Sequence, residues 1–422
     1  MSDKSKIQNP KYIYASYYKD FVCTNSACED SCCTHWDVEI DKNTFEKYKK
    51  VKDEEVRKII DKYVCKNEES YDDNVDYGRV KLTKNKNCPF LDDKKLCKIQ
   101  INISEEYLSN VCHTFPRFTN LIDDVYENSM TLSCPESARI VLLKEEGISF
   151  DVEGEKLHKK IVSLDVNTKD KIHEATAVVE FHKLREFSIW IMKNRKYEIW
   201  ERLLLLGYFH EELEILIKKN KTYKIAKLIN SYKTNISKGE LDNLLDKTIK
   251  SSSMQLTLMI EFVERLDIIG GVESKKFIDA SELIKKELGI LLDIDNREKL
   301  ERYVGAVDGI YEPFMNAHEY MFENYFVNHI YRNLYPFSEP GTPFDSYMMM
   351  IIRYVIIKLY LAGIGSAKGG LTKDITIDFI QIFSKTVEHH RSYLIDLADF
   401  MRDSHFNNME YMNILLKSNK SK

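Results

Sequence analysis

The sequence predicts a mainly α protein: a small cysteine-rich, metal-binding N-terminal domain with little β structure, followed by a large helical body. Three observations carry that expectation. The 422 residues include only 15 glycines and 8 prolines, about half the usual share. No proline falls between Pro135 and Pro313, and apolar residues recur through that stretch at helical spacing. All nine cysteines lie at or before Cys134, so whatever they build belongs to the first third of the chain.

The chain is too long for a single core. Changes of texture put the expected boundaries at residues 1–145 (metal-binding), 146–310 (helical) and 311–422 (C-terminal helical, with a candidate substrate or donor pocket). Hydrophobic residues make up 43%, a globular share, and no run reaches eighteen apolar residues. The opening MSDKSKIQNPKYIYASYY has neither the apolar centre nor the cleavage site of an export signal. A cytoplasmic protein with no membrane partner is expected. The net charge of −5 comes from 62 basic and 67 acidic residues, a balance that argues against nucleic-acid binding. The basic run from Lys218 to Lys227 reads as a solvated helix face.

In chain order, Thr44 to Val64 reads as a charged helix, and Tyr71 to Leu82 as an acidic stretch leading into a short strand or hairpin. Cys88 to Gln100 looks like a hairpin with a cysteine on each arm. Leu108 to Arg117 is a helix end running into Phe115-Pro116-Arg117, and Cys134-Pro135 precedes a helix start. Gly147 to Asp170 reads as a charged linker. Helices then follow from Leu184, Phe187 and Ile191, from Ile199, Leu203 and Leu206 with Gly207 as a candidate stop, and from Ile225, Leu228 and Tyr232. Further helices are expected over Met254–Leu266 and Ser281–Leu292, and an aromatic, polar one from Glu319. A very apolar helix from Tyr347 ends near Gly363, and a last one runs from Ile375 to about Met401. The stretch GIGSAKGG after the apolar helix lacks the order of a phosphate-binding loop.

Chemistry concentrates first in FVCTNSACEDSCCTHWDVEID, residues 21–41, with Cys23, Cys28, Cys32 and Cys33. Adjacent cysteines do not bridge each other without strain, and a reducing compartment disfavours disulfides. With Cys88, Cys97, Cys112 and Cys134 this makes eight candidate metal ligands, enough for two four-thiolate sites or one site with unused neighbours. An iron–sulfur cluster is favoured over zinc, and buried free thiols are the competing reading. Cys65 stands outside the motifs as a free thiol. His35 and His113 could ligate or hydrogen-bond to sulfur, and Arg117 could meet a cluster sulfur, an anionic group or an ordinary carboxylate partner.

A second constellation lies on the helix after Glu319, where Asn324, Asn328 and Tyr331 share one face beside Tyr325. Two asparagines inside one helix face suggest either a binding pocket or a polar helix–helix contact. A third joins Ser384, Glu388 and Arg391 to Lys385 and His389, as an ion pair or an acid/base pair.

With these segments laid out, the chain resembles the FliB-type flagellin lysine N-methylases. The resemblance runs through FVCTNSACEDSCCTHWDVEID, CPFLDDKKLCKIQ, LSNVCHTFPR, TLSCPESAR, NRKYEIWERLLLLG, ENYFVNHIYRNLYPF and FSKTVEHH. The cysteine segments are also similar to the wider CxxxCC family of zinc- or iron-chelating modules. The resemblance implies methyl transfer from S-adenosylmethionine to lysines of flagellin, and a [4Fe–4S] cluster (alternatively Zn²⁺) on the eight cysteines. On this reading Tyr325, Asn324 and Asn328 surround the amine or the donor, Glu388 and His389 are candidate proton acceptors, and Arg117 is a further binding residue. No Rossmann-type donor fingerprint is present, so the donor site must be non-standard. The rival readings are a zinc-stabilised interaction protein without chemistry and an iron–sulfur redox or radical enzyme.

Overall fold

The structure, a computed structural model, describes residues 11–34, 38–152, 161–246, 251–270 and 274–417. It is mainly helical, and Cα packing groups the chain into two units where the sequence suggests three segments. The first comprises Met1–Ile140 with Ser149–Asn167, and the second Val141–Ile148 with Thr168–Lys422.

All the strands among the described residues belong to the first unit: β1 (Lys11–Ala15), β2 (Val38–Ile40), β3 (Val64–Lys66), β4 (Gly78–Val80), β5 (Arg117–Ile122), β6 (Val125–Met130), β7 (Phe150–Val152) and β8 (Val162–Val166). They form a five-stranded mixed sheet, β7-β1-β6-β5-β8, and a three-stranded one, β2-β4-β3. The hairpin β5–β6 is its centre: it turns at Asp123 and Asp124, both at positive φ, a region Asp tolerates better than most residues. The stretch expected to be a linker instead supplies both edge strands, β7 antiparallel to β1 and β8 parallel to β5. Edge strands need only short apolar patterns and tolerate charge, which is why 147–170 looks irregular in sequence.

The expected helix over 44–64 is two helices, Lys42–Tyr48 and Glu54–Tyr63. Asp41 and Asp53 each cap one by accepting the backbone N–H three residues on, and each cap marks a fresh start. Asp41 also accepts from the Asn110 N–H, tying the first helix to the short helix Asn110–Thr114 that carries Cys112. Ile40, Tyr48, Val56, Phe90 and Ile99 form the core beneath, with Cys33 and Cys97 packed against it.

The second unit is a helical body around Pro343–Lys368. Every residue of that helix from Pro343 to Gly365 is buried. A helix apolar on all sides belongs in a core or a membrane; this one is long and apolar enough to cross a bilayer, yet it is wholly enclosed by protein. Its two interior charges are paired, Arg353 with Glu339 at 2.6 Å and Lys358 with Glu312 at 3.0 Å. The helix continues past Gly363 and ends at Gly369, whose φ of 74° closes it. Gly207 likewise does not stop its helix, which runs Ile199–Lys218. A Cβ there would run into the Tyr347 ring, so the glycine lets two core helices cross closely. The last expected helix is broken in two, Lys373–Thr386 and Arg391–Asp403, with Glu388 and His389 in the bend between them.

Candidate functional site: a thiol group and a buried carboxylate network

In the first unit, Cys88 and Cys97 sit on the two arms of a tight hairpin, closed by a Leu91–Cys97 bridge and the Asp92 N–H to Leu96 C=O bond at 2.9 Å. The Cys88 N–H donates to the Cys33 C=O at 2.8 Å, which joins this hairpin to the first cysteine segment. Burial pushes the Cys88 thiol up to about 12, and the charges of Cys112, Cys97 and Cys32 add to that rise. Cys97 is raised by burial and by Cys32. Cys112 keeps exposed surface, but enclosing protein, Cys32 and Cys97 still raise it against the Ser109 hydrogen bond. Thiols that raise one another in this way occupy one neighbourhood, so Cys32, Cys88, Cys97 and Cys112 form a group, and three of them also raise the buried Tyr48. Cys134, pushed up to about 12 by burial, also feels Cys28 and Cys32, so these two thiols extend the group on its Cys32 side.

Not every candidate joins it. Cys23 is exposed, with its C=O accepting from Asn25, and Cys33 packs against the core. Cys65 lies on β3 with its thiol toward the Arg79 C=O at 3.8 Å. His113 faces Glu105 at 3.4 Å, and Arg117 stacks over Phe21 at 5.0 Å and Tyr18 at 5.7 Å. His35 lies outside the described residues. The described cysteines are all free thiols. Among the described residues no three His, Cys, Asp or Glu side chains close on a single metal-sized point. The donor set nevertheless has the softness that zinc and iron–sulfur centres require, and a bound cation would favour the thiolate forms that burial opposes.

In the second unit the polar network centres on Glu388. Its carboxylate accepts from the Tyr325 hydroxyl at 2.8 Å and the Ser384 hydroxyl at 2.7 Å, and faces Arg332 at 3.7 Å. Burial alone would raise its pKa. Arg332, His329, the Ser384 hydrogen bond and Arg353 outweigh that and hold it at about 2. Tyr325 is 1% exposed, and burial followed by the Glu388 charge keeps its hydroxyl protonated. Tyr325 also stacks with His329, ring centroids 6.3 Å apart.

The structure therefore unites Tyr325 with Glu388 and leaves His389 on the exposed surface of the bend. Asn324 is fully buried and donates to the Lys144 C=O at 2.8 Å, while its carbonyl oxygen has no partner among the described residues. Asn328 is buried on the same helix. Two members escaped the sequence reading. His329 accepts from the Asn333 amide at 2.9 Å through Nδ1, leaving a buried Nε2 without a partner among the described residues; its sequence signal is its place one helical turn after Tyr325. Arg353 is a charge inside an apolar run, a signal in itself.

Comparison with known proteins adds the family. A family model described as the FliB lysine N-methylase C-terminal domain matches residues 185–415, more than half of the chain. A lysine-N-methylase of Salmonella choleraesuis (strain SC-B67) is 23% identical, covering 89% of this chain and 91% of its own length. That of Salmonella typhimurium (strain LT2) is also 23% identical, covering 88% and 90%. The flagellar biosynthetic protein FliU of Salmonella muenchen is 34% identical over 30% of this chain and 74% of its own. No solved structure matches. The matched segment contains the whole Glu388 network, and the chain belongs to the FliB lysine N-methylase family, a family of protein lysine methyltransferases.

Proposed function

We propose that this chain transfers a methyl group from S-adenosylmethionine to the ε-amines of lysines in flagellin. One observation carries the reading: the buried network of Tyr325, His329, Arg332, Ser384 and Glu388 lies inside the segment shared with the lysine N-methylases. In the reaction the S–CH₃ bond breaks and an N–CH₃ bond forms. The lysine ammonium first gives a proton to water, the neutral amine then attacks the methyl, the donor sulfonium becomes a neutral thioether and the positive charge passes to nitrogen.

A lysine amine has an ordinary pKa of about 10.4, so it must shed its proton on entering a desolvated site. A carboxylate held near 2 is a weak base. Glu388 is therefore better suited to stabilising the charge that appears on nitrogen than to removing the proton. Tyr325 and Ser384 fix its orientation, and His329 and Asn324 each present a buried polar atom that a polar ligand group could meet. Positioning of nucleophile and donor supplies much of the rate in such a reaction.

Cys32, Cys88, Cys97 and Cys112 are the residues that would hold a [4Fe–4S] cluster, or alternatively Zn²⁺. Bound there, either would supply a cross-link between the hairpin and the flanking segments, and iron–sulfur would add electron-transfer capacity. The name of the FliU relative and of the family supports a flagellar substrate. Incubating the protein with flagellin and S-adenosylmethionine should raise the flagellin mass in steps of about 14 Da, the mass of an added methylene. Unchanged flagellin, with the protein folded and metal-loaded, would reject the reading.

A further inference from the structure

The corner where the Ile199–Lys218 helix gives way to the next one carries charge that the fold does not use. Between Glu214 and Glu240 the chain runs for 25 residues with seven lysines and no Asp, Glu or Arg, in a protein whose net charge is −5. Folding can neutralise such a run by packing carboxylates from elsewhere against it. Here it does not: among the described residues Lys218, Lys219, Lys221, Lys224 and Lys227 make no ion pair, and the pairs that flank them in sequence are Arg202 with Glu323 and Lys238 with Glu240. The carboxylates just before the run are engaged or distant. Glu214 accepts from the Phe344 N–H at 3.2 Å and Glu212 from the Tyr232 hydroxyl at 2.7 Å, and Glu211 stands two helical turns, about 10 Å, ahead of Lys218.

Local structure turns these lysines outward together. Ile225, Ile229, Tyr232 and Ile236 recur at helical spacing and are buried, which fixes the roll of the helix Ile225–Lys238. Lys224 and Lys227 therefore face solvent, as do Lys218 and Lys219 at the end of the preceding helix. The chain passes from one helix to the other through Asn220, at a φ of 52°, and the single turn Thr222–Lys224. At that turn Tyr223 is 73% exposed between Lys221 and Lys224, and Ile215, one turn before Lys218 and Lys219, is 46% exposed. The sequence reads this run as a solvated face; the structure adds an aromatic ring and an aliphatic side chain left in water among unneutralised charges.

We infer that this corner docks the protein on the surface of an anionic lipid bilayer. Lysine carries a compact, mobile charge that suits a fluid array of headgroups, whereas arginine is the residue that reads a phosphate or carboxylate in fixed bidentate geometry, and the run contains none. An amphipathic tyrosine ring is at home at headgroup depth, where lysine stems spread over the interface. Each lysine brought to such a surface strengthens binding by about fivefold, so a few suffice against the weak repulsion of a net-negative protein. The inference is independent of the methylation reading and revises, for this corner alone, the expectation of no membrane partner.

The test floats the full chain with vesicles of phosphatidylcholine, with or without about 40 mol% phosphatidylglycerol, in about 0.1 M salt. The protein should bind only the anionic vesicles and leave them in about 0.5 M salt. The triple variant Lys218→Gln, Lys221→Gln, Lys224→Gln should bind at least about tenfold more weakly. Lys50→Gln, Lys52→Gln, Lys58→Gln, an equal charge change at exposed lysines of the first unit, should bind as wild type does. Tyr223→Ser, which leaves the charge unchanged, should weaken binding at least about threefold, with melting temperatures unaltered throughout. No binding of the wild-type protein to anionic vesicles would overturn the inference, as would full binding by the corner variants or equal loss in the first-unit control. Complete displacement from the vesicles by an equal charge concentration of poly-L-glutamate or duplex DNA would assign the face to an acidic polypeptide or a nucleic acid, and would equally overturn it.

Discussion

At the scale of single residues, Glu388, His329 and His210 of the helical unit share one direction of response to acid. Glu388 is held at about 2 against an ordinary 4.5. Its contribution to stability is complete above the unfolded value and disappears as pH falls from about 4.5 toward 2. His329 and His210 are lowered from 6.5 to about 3 by burial, with Arg353 adding to the effect at His329. They stay neutral in the fold, so the unfolded chain takes up protons first and stability falls as pH drops below about 6.5. Between pH 6.5 and 4.5 each should cost about 2–3 kcal/mol. The melting temperature of the wild-type protein should therefore fall steeply over that interval, and His329→Gln, which cannot titrate, should fall less. Parallel curves would show that His329 is not held neutral. The same residues show where the sequence is opaque. His389 adjoins Glu388 in the chain and so attracts an acid/base role, but the bend between two helices turns it to the surface. His329, far from Glu388 in sequence, lies one turn of helix after Tyr325, which reaches Glu388 through its hydroxyl.

At the scale of elements, the helical periodicity was legible and the interruptions less so. Asp53 and Asp41 are ordinary charged residues until their side chains are seen capping helices. Gly207 carries the signature of a helix end, and only the close passage of Tyr347 reveals it as a crossing point. The edge strands β7 and β8 carry too little alternation to be told from a linker, because their partners in the sheet, β1 and β5, lie far off in sequence. The Cys88–Cys97 hairpin was readable because its turn residues sit between two cysteines, and it yields a prediction for the metal. Protein purified without oxygen should be brown, with broad visible absorption. Cys88→Ser combined with Cys97→Ser should bleach it and lower bound iron to background, since thiolate donors are lost from both arms. Colourless wild-type protein containing zinc would contradict the iron–sulfur assignment, and metal retained by the double variant would remove the hairpin from the ligand set.

At the scale of the whole molecule, two units divide two kinds of chemistry. The first gathers soft sulfur donors from a loop, a hairpin and a short helix. The second surrounds one fully enclosed helix with others and pairs several of its buried charges, among them Glu388 with Arg332, Arg353 with Glu339, Lys358 with Glu312 and Arg202 with Glu323. Arg202 is 2% exposed and is held by the Tyr197 and Met192 carbonyls and by Glu323, which ties the Ile199–Lys218 helix to the Tyr320–Arg332 helix. Composition announced the split, since cysteines end where the proline-free helical stretch begins. Which polar residues meet could not be read from it, because the Tyr320–Arg332 helix and Glu388 are joined only by tertiary packing. The central claim is that this network, centred on an ionised carboxylate, supports methyl transfer to lysine. The most direct measurement is the single-turnover rate of methyl transfer to flagellin by wild-type protein and by Glu388→Gln, which keeps the shape and removes the charge. The account predicts a rate lower by about 10²-fold or more at matched melting temperature and metal content; a rate within twofold of wild type would contradict it.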